Sequence, residues 1–269
     1  MSHRHAPAGW QAPPAQPVLH HDEVHVWRLW LEVPAPSVAG LQALLAPEEQ
    51  ARAARFYFAR HRRRFIVARG VLRLLLGHYT GLPASQIALG YGPQGKPALV
   101  PEAPLRFNLS HAGGLALYAF ALGREVGIDV ERLRPEPLRE GVAERFFSPR
   151  EVATLRALPP PLQVPAFFAC WTRKEAFIKA KGGGLSIPLA QFDVTLAPHE
   201  PVALLRTAWD AQEAARWSLQ ALEAAPGYAA ALAVEGHGWR LRCWDYPPAR
   251  LHQEVVCSPQ HLKSPSATK

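Results

Sequence analysis

The chain has 269 residues, enough for one large domain or two small ones at roughly 150 residues per domain. It contains no apolar run of about 20 residues and no secretory h-region, which argues against a membrane-spanning or secreted class, so a cytoplasmic location is expected. The formal net charge of +8 indicates an acidic partner or a polyanionic ligand.

Both ends of the chain are rich in polar residues and proline. The opening, MSHRHAPAGWQAPPAQP, predicts a flexible tail over residues 1–20, and residues 247–269 are expected to form a loose C-terminal tail. Several histidines near the start lack the His-x-x-x-His spacing of zinc helices and are interpreted as tail residues: His3, His5, His20, His21 and His25. The cysteines lack metal-site spacing and are expected to be reduced, cytosolic thiols: Cys170, Cys243 and Cys257.

The first strongly helical segment reads PEEQARAARFYFARHRRRFIVARGVLRLLLG. Pro47 suits the first helical position, Gly77 suits a stop, and a break is expected near Phe58. The second part carries an apolar stripe and, beside it, a cationic stripe formed by Arg62, Arg69 and Arg73. Three interpretations of the arginines stay open: a solvated face, RNA binding, or binding of a phosphate ligand.

Two segments that follow suit an anionic ligand. GPQGKPAL predicts a tight loop with Lys96 at its tip, which is either an exposed turn or a phosphate clamp. RFNLSHAGGLALYAFAL predicts a strand, an irregular Ser-His-Ala-Gly-Gly corner and a second, apolar strand. The side chains of Ser110 and His111 diverge in an extended segment, so a serine hydrolase dyad is rejected, but both can donate hydrogen bonds to an anion.

The next strand, GIDVE, ends in two carboxylates. Asp129 and Glu131 lie two positions apart and therefore share one face of an extended strand. Two like charges at close range repel, and a cation between them would relieve the repulsion; paired carboxylate oxygens suit Mg²⁺. The alternative is an exposed strand end whose acids contact water.

A short helix is predicted within ERFFSPREVATLRALPPP. Ser148 at N-cap, Pro149 at N1 and Glu151 at N3 form a capped helix start. One of the two preceding phenylalanines is expected to pack into the core, and two arginines leave a basic rim: Arg145 and Arg150.

The last motif is a helix in FFACWTRKEAFIKAKGGGLSIP that ends at three glycines. Phe167, Trp171 and Ile178 are predicted to form its buried stripe. Glu175 and Lys179 are neighbours at i and i+4, which fits an ordinary surface ion pair. The alternative is a third metal carboxylate beside a cation for a phosphate.

Five motifs in one order resemble the surfactin-synthetase-activating type of 4′-phosphopantetheinyl transferase: GKP, FNLSHA, GIDVE, FFSPREVATL and WTRKEAFIKAKGGGL. The resemblance spans about residues 47–188. It implies that coenzyme A donates phosphopantetheine to a serine of an apo acyl or peptidyl carrier protein, acidic around that serine, with Mg²⁺ as cofactor.

The resemblance also implies roles for particular residues. The metal positions fall on Asp129, Glu131 and Glu175. The catalytic positions fall on Glu175 and Lys179, and the base for the serine proton is either Glu175 or a metal-bound water. The positions that bind coenzyme A fall on Arg52, Lys96, Ser110, His111 and Lys179. Two positions depart from the pattern, because some members place a second lysine near Glu49 and many have serine where Ala112 stands.

The fold class implied by the resemblance is α/β, with two similar α/β halves related by a pseudo-twofold axis. The chain carries a faint internal echo of duplication, since GHYTGLPASQIAL and GGGLSIPLAQFDV each follow a long helix and lead into a strand. The expected N-terminal half is 21–123, and the expected C-terminal half, with the metal site, is 124–246. A chain that supplies both halves of the site is expected to act as a monomer.

Two other classes of function stay open on the residues alone. A basic RNA-binding protein explains the arginines but not three acids that would repel phosphodiesters. A Mg²⁺-dependent nucleotide phosphohydrolase explains acids and cations but needs no protein-docking surface. Neither nucleic acid nor a membrane is the expected partner, and the class of carrier protein is not encoded in the motifs.

Overall fold

A computed structural model describes residues 9–257 of the chain. The first half begins with a strand and three helices: β1 (Glu23–Trp30), α1 (Ala35–Leu44), α2 (Pro47–Ala54) and α3 (Ala59–Thr80). Two hairpins follow: β2 (Leu89–Tyr91) with β3 (Pro97–Leu99), and β4 (Leu105–Ala112) with β5 (Leu115–Leu122).

The second half again begins with a strand and ends its helical part with a long helix: β6 (Val126–Arg132), α4 (Glu136–Arg139), α5 (Val142–Phe146), α6 (Pro149–Ala157) and α7 (Pro160–Lys181). The remaining strands are β7 (Phe192–Val194), β8 (Leu204–Thr207), β9 (Trp217–Ala221), β10 (Tyr228–Glu235) and β11 (Arg240–Asp245). A short helix, α8 (Pro248–His252), leads into a turn of π-helix at Gln253–Cys257.

The two halves repeat one topology, which confirms an α/β fold built from two similar units. In the first half the strands are ordered β1-β5-β4, and in the second they are ordered β6-β10-β9, with antiparallel neighbours in both. Each half has a 22-residue helix between its first strand and its first hairpin. Strand β11 crosses back and pairs in parallel with β1, so the last strand within residues 9–257 extends the first sheet.

Alternating side chains give each sheet two apolar faces, and the two sheets pack against each other with a long helix outside each. In β5 one set of residues packs with α3: Ala116, Tyr118 and Phe120. The other set packs with β6 and β10 of the second sheet: Leu115, Leu117, Ala119 and Ala121. Because successive side chains of β5 point to opposite faces of the sheet, the strand packs against α3 on one face and against the second sheet on the other. Helix α7 buries Phe177 against the opposite face of the second sheet.

The expected helix break and start in the arginine-rich segment are confirmed, but the expected stop is wrong. Pro47 begins α2, and the chain leaves helical geometry before α3 begins after Phe58. Gly77 lies inside α3, where an added Cβ would lie 2.9 Å from the Leu82 carbonyl oxygen of the returning chain. The helix ends instead at Gly81, whose φ of 73° is the left-handed conformation that glycine adopts without a steric penalty.

The expectation of loose tails is corrected within the described residues. Trp10 donates its indole N–H to the Glu223 carbonyl at 2.7 Å, and Gln11 bridges Trp244, so this part of the predicted tail packs on the fold. At the other end Val255 is buried. Residues 1–8 and 258–269, including His3 and His5, lie outside the described residues.

His25 is not a tail residue. It lies on β1, is 1% exposed, and its Nδ1 is 2.9 Å from the Tyr79 hydroxyl. Burial lowers its pKa to about 4. The polar residues around it in the sequence conceal the apolar alternation of the strand that it occupies.

Candidate active site

A glycine allows the acidic strand to lie directly on the second long helix. An added Cβ at Gly127 would collide with the backbone of Ala176 and Ala180 on α7. Strand β6 therefore approaches α7 closely, and its next residues on that face, Asp129 and Glu131, lie beside the C-terminal turns of the helix. The glycine of the GIDVE motif thus brings the strand acids and the helix acid to one place.

Asp129 is the most buried of the acids, at 3% exposed. Its Oδ1 accepts hydrogen bonds from Ser110 Oγ at 2.8 Å and from Lys179 Nζ at 2.6 Å. Its Oδ2 is buried and has no hydrogen-bond partner. A buried carboxylate oxygen without a partner is costly, so this atom is available to a cationic ligand.

The other two acids share the electrostatic field of Asp129. Burial, and next the charge of Asp129, raise the pKa of Glu131 to about 7. Burial also raises the pKa of Glu175, where the nearby charge of Lys179 opposes the shift and that of Asp129 adds to it. Within residues 9–257, no group of histidine, cysteine and acidic side chains is already arranged around a metal position. The cation placed on Asp129 is the Lys179 ammonium.

Lys179 does not form the surface ion pair with Glu175 that its i, i+4 spacing suggests. Its ammonium pairs with Asp129 and contacts Ser110 Oγ at 3.1 Å. Its side chain is 29% exposed, whereas that of Asp129 is 4% exposed. Lys179 thus places a partly accessible positive charge at the acid cluster, and the interpretation as an ordinary surface pair is wrong.

The predicted loop at Lys96 is confirmed as the turn between β2 and β3, and it is fixed to the end of α7. Lys96 Nζ donates to Glu125 Oε2 and to the Ala180 carbonyl, both at 2.7 Å. Burial lowers the Lys96 pKa, and the Glu125 contact partly offsets this. Lys96 lines a cavity of about 270 Å³ together with Glu175 and Lys179. Its other lining residues are Gln94, Gly95, Pro97, Asn108, Leu109, Ile178, Gly182 and Gly184.

Ser110 and His111 lie within β4 and not in an irregular corner, because the strand continues to Ala112 and only two glycines form the turn. Their side chains diverge as predicted. Ser110 faces the acids and also accepts from the Val130 N–H at 3.4 Å. His111 is exposed on the other face of the strand.

The arginine stripe of α3 is not a solvated face throughout. Arg69 and Arg73 are 7% and 1% exposed, and both pair with Glu49 of α2. Arg73 Nε donates to Glu49 Oε2 at 2.6 Å, and its Nη1 donates to two backbone carbonyls. Arg52 is exposed, and its guanidinium carbon lies 5.4 Å from the centre of the Phe65 ring.

The predicted capped helix start is confirmed at α6, and it connects to α7 through residues that the sequence analysis missed. Ser148 Oγ accepts from the Glu151 N–H at 3.2 Å, while Glu151 Oε2 accepts from the Ser148 N–H at 2.9 Å. Glu151 also pairs at 2.8 Å with Lys174, whose side chain is fully buried. The positions 167, 171, 174 and 178 follow helical spacing, so the buried stripe of α7 already contained the signal for Lys174.

Asn108 is a second residue that was missed. Its Oδ1 accepts from the Ile128 N–H at 2.9 Å, so a side chain of β4 binds the backbone of β6 where the two sheets meet. Together with Ser110, it sets the spacing between the strands that carry the candidate residues. Its position two residues before Ser110, on the same strand face, was the available signal.

Comparison with known proteins defines the class. The 4′-phosphopantetheinyl transferase superfamily model matches residues 125–233, and a 4′-phosphopantetheinyl transferase N-terminal model matches residues 34–122. The chain is 43% identical over 240 residues to 4′-phosphopantetheinyl transferase HetI of Nostoc sp., covering 88% of this chain and 98% of that protein. It is 33% identical over 163 residues to 4′-phosphopantetheinyl transferase Sfp of Bacillus subtilis, covering 60% and 71%.

The chain therefore belongs to the 4′-phosphopantetheinyl transferase superfamily, and the resemblance to its surfactin-synthetase-activating type is confirmed. A solved holo-(acyl-carrier-protein) synthase of Bacillus anthracis in complex with CoA (3′,5′-ADP) is a more distant likeness. It has 20% identity and a TM-score of 0.35, over 42% of this chain and 96% of that chain. In residues 9–257, no helix is both long and apolar enough to cross a bilayer.

Proposed function

We propose that this transferase moves the 4′-phosphopantetheine of coenzyme A to a serine of an acidic apo carrier protein in a Mg²⁺-dependent reaction. The observation that carries the proposal is the convergence of three carboxylates and one ammonium at the junction of the two halves. The ammonium contacts Asp129, and Glu131 and Glu175 are electrostatically coupled to the same carboxylate.

The donor set fits a hard divalent cation. Asp129 Oδ2 is buried without a partner, and burial, reinforced by the negative charge of Asp129, raises the pKa values of Glu131 and Glu175. We assign Asp129, Glu131 and Glu175 as the residues that would hold Mg²⁺. When bound, the ion would supply Lewis-acid stabilisation of the charge that develops on the pyrophosphate.

The side chains around the acids have separate tasks in this proposal. Ser110 and Lys179 fix the orientation of Asp129 by hydrogen bonds to Oδ1, and the partly exposed Lys179 adds positive charge for the departing bisphosphate. Glu175 lines the cavity, and its raised pKa suits a group that accepts the carrier serine's proton. Transfer forms the serine–phosphorus bond and breaks the pyrophosphate bond, releasing adenosine 3′,5′-bisphosphate.

The nucleotide end of coenzyme A is assigned to cationic groups outside the acid cluster. Lys96 lies on the rigid loop at the cavity, His111 lies on the exposed face of β4, and Arg52 lies on α2. Binding energy from these contacts would align the reacting phosphorus, which is how remote contacts raise a transfer rate.

The carrier protein is assigned to the surface formed by α5 and the start of α6. Arg145 and Arg150 are exposed there, and Phe146 is 37% exposed beside the partly buried Trp171. Phe147, in contrast, packs into the core against Phe167. An apolar centre with a basic rim suits an acidic partner.

The two alternative classes explain less than the transferase does. An RNA-binding protein has no use for a buried acid cluster, and a nucleotide phosphohydrolase has no use for an exposed phenylalanine with a basic rim. We further propose that the active species is a monomer, because every assigned group comes from one chain. A cytoplasmic location is proposed because Cys170 and Cys243 are unpaired thiols.

The direct test is incubation of the pure protein with coenzyme A, Mg²⁺ and either an apo acyl or an apo peptidyl carrier protein. Mass spectrometry should show addition of phosphopantetheine to the carrier serine, and the bisphosphate should appear in equal amount. A carrier variant with alanine for that serine is the control. Breakdown of coenzyme A without modification of either carrier would overturn the proposal in favour of a phosphohydrolase.

A further inference from the structure

Lys96 lies in the wall between two cavities. The first cavity, of about 270 Å³, is also lined by Glu175 and Lys179, and the second cavity has a volume of about 440 Å³. Glu125 lines the second cavity and not the first. A group that binds the Lys96 ammonium from the second cavity can therefore affect the candidate site without contacting a ligand there.

The hairpin that carries Lys96 needs contacts outside its own strands. Strands β2 and β3 have three residues each and, among the described strands, form ladder hydrogen bonds only with each other. A two-stranded hairpin is at best marginally stable by itself. The Gly92 N–H donates to the Lys96 carbonyl at 2.9 Å, which closes the loop but attaches it to neither main sheet. The position of the loop therefore depends on side-chain contacts with the rest of the fold.

Glu125 supplies such a contact and joins the loop to both units. Its Oε2 accepts from Lys96 Nζ at 2.7 Å, and its Oε1 accepts from Arg106 Nε of β4 at 2.9 Å. Its own backbone is fixed beside β10, because the Glu235 N–H donates to the Glu125 carbonyl at 2.9 Å. Each carboxylate oxygen thus has a cationic donor, and hydrogen bonds between ionised partners are the stronger class. Glu125 is therefore a fixed anchor for the loop.

Lys96 extends this anchoring to the end of α7. Its Nζ donates at 2.7 Å to the carbonyl of Ala180, one of the last four carbonyls of the helix, which have no donors within the helix. Ala180 directly follows Lys179, the cation of the candidate site. The glycine turn after α7 packs on the same loop, since an added Cβ at Gly184 would lie 3.0 Å from the Cβ of Gln94. The Lys96 ammonium therefore connects the loop to the turn of α7 that carries Lys179.

We propose that Glu125 is a positioning residue for coenzyme A: through the Lys96 ammonium it holds the β2–β3 loop against the end of α7 and keeps the wall of the first cavity in its binding geometry. The inference rests on the proposed function, since it takes coenzyme A to be the ligand of that cavity. Glu125 itself contacts no ligand in this arrangement. Without it, the loop is less ordered before binding, and ordering the loop then lowers the affinity.

The first test is binding of coenzyme A to the full-length protein by calorimetry, in wild type and in Glu125→Gln. The amide has a single oxygen, so it accepts from one of the two cations and presents N–H groups to the other. The dissociation constant should rise at least about threefold, within the range of couplings between residues in contact. Glu102→Gln is the matched control, because Glu102 also pairs with Arg106 but its side chain is 82% exposed. Its substitution should leave the affinity unchanged.

A double-mutant cycle with Lys96→Met separates positioning from a general effect on the fold. In the Lys96→Met background, Glu125→Gln should change the affinity for coenzyme A less than about 1.5-fold, because the ammonium through which Glu125 acts is gone. In steady-state carrier modification, Glu125→Gln should raise the KM for coenzyme A, while kcat and the KM for the carrier stay within about twofold of wild type. A merely structural role would lower kcat and persist in the Lys96→Met background.

Thermal unfolding establishes that each variant is folded. Should Glu125→Gln fail to fold, Glu125→Asp keeps the charge, but its shorter side chain cannot reach both cations, and it should show the same rise in dissociation constant. Unchanged or tighter binding in the Glu125 variant, an undiminished effect in the Lys96→Met background, or an equal effect of Glu102→Gln would overturn the inference. Because calorimetry does not require transfer, the expected Glu125 effect without carrier modification would overturn the proposed function alone. Wild type that does not bind coenzyme A would overturn both.

Discussion

At the scale of single residues, the two carboxylate oxygens of Asp129 have different environments. Oδ1 is bound by Ser110 and Lys179, and Oδ2 is buried and bound by nothing among the described residues. The first oxygen fixes the side chain, while the second is left for a cation. Under the proposed function, the unpartnered oxygen would lower the stability of the ligand-free fold and be satisfied when a cation binds.

Asp129→Asn should separate function from stability. The amide keeps an oxygen that accepts from Ser110 and Lys179, so the fold should be retained. Removing the charge relieves its repulsion with Glu131 and Glu175 but also weakens the ion pair with Lys179. Because the two effects oppose each other, the free energy of unfolding should stay within about 1 kcal/mol of wild type. Loss of groups that merely support a metal ligand costs roughly 10–100-fold, so carrier modification should fall by more than about 100-fold.

Denaturant unfolding and the initial rate of carrier modification are the two measurements. A variant that modifies the carrier at a rate near that of wild type would remove Asp129 from the metal site. A variant that is destabilised by several kcal/mol would instead show that the carboxylate is a structural group.

At the scale of elements, helix α8 and the turn that follows it are held by a polar cluster beneath α3. Glu254 accepts from the Tyr246 hydroxyl and from Arg250 Nε, the latter at 2.7 Å, and lies 3.2 Å from His78 Nε2. Burial alone would raise the Glu254 pKa, but hydrogen bonds from His78, Tyr246 and Arg250 outweigh burial and lower it to about 2. The C-terminal helix is therefore tied to the core by a charge.

This depressed pKa predicts a pH-dependent contribution to stability. A carboxyl whose pKa is lower in the folded than in the unfolded chain stabilises the fold above about pH 4.5, and the contribution is lost as the pH falls toward 2. Glu254→Gln should therefore lower the free energy of unfolding by about 3 kcal/mol at pH 7. The difference between wild type and variant should shrink steadily below pH 4.5. Denaturant unfolding between pH 3 and 7 measures it, and a difference that does not depend on pH would contradict the assigned role of the charge.

The basic rim of α5 and α6 carries a prediction about the carrier. Reversing the charge of Arg145 and Arg150 should raise the KM for an acidic carrier several-fold, leave the KM for coenzyme A nearly unchanged, and flatten the salt dependence of the rate. Both side chains are exposed, so folding should be unaffected. Reversal of the exposed Arg60 and Arg62 on α3 is the charge-matched control. Equal effects on both KM values would place the rim on the nucleotide or in the fold.

Local signals predicted the elements better than their contacts. The capping box at Ser148, the helix break at Phe58 and the alternation in GIDVE depend on neighbours in sequence, and all three are confirmed. The burial of Arg69 and Arg73 depends on how α2 packs against α3, which no local pattern contains. The same holds for Lys179, whose partner on β6 is 50 residues away and displaces the expected neighbour at i−4.

At the scale of the whole molecule, two α/β units place one site at their junction. Strand β4 of the first unit supplies Ser110 and His111, while β6 and α7 of the second supply the acids and Lys179. Side chains of β4 bind the backbone of β6 through Asn108 and Ser110, so the relative position of the units fixes the site geometry. The boundary between the halves at 123 and 124 stays a prediction.

The two units contribute different sets of charged groups to the proposed site. The first contributes the basic side chains of Arg52, Lys96 and His111, and the second contributes three carboxylates and the Lys179 ammonium. Under the proposed function, the phosphates of coenzyme A would contact the basic side chains and a divalent ion would bind the carboxylates. The net charge of +8 alone is compatible with many partners. The position of the basic side chains beside the carboxylates favours a phosphate-bearing ligand among them.

The central claim is that Asp129, Glu131 and Glu175 hold the Mg²⁺ required for transfer. It is tested most directly by the rate of carrier modification as a function of Mg²⁺ concentration, for wild type and Glu131→Gln after removal of all metal. Wild type should be inactive without metal and regain activity on addition of Mg²⁺. Glu131→Gln should reach its half-maximal rate only at a Mg²⁺ concentration at least about tenfold higher than wild type needs. Full activity of metal-free wild type, or an unchanged Mg²⁺ requirement in Glu131→Gln, would contradict the claim.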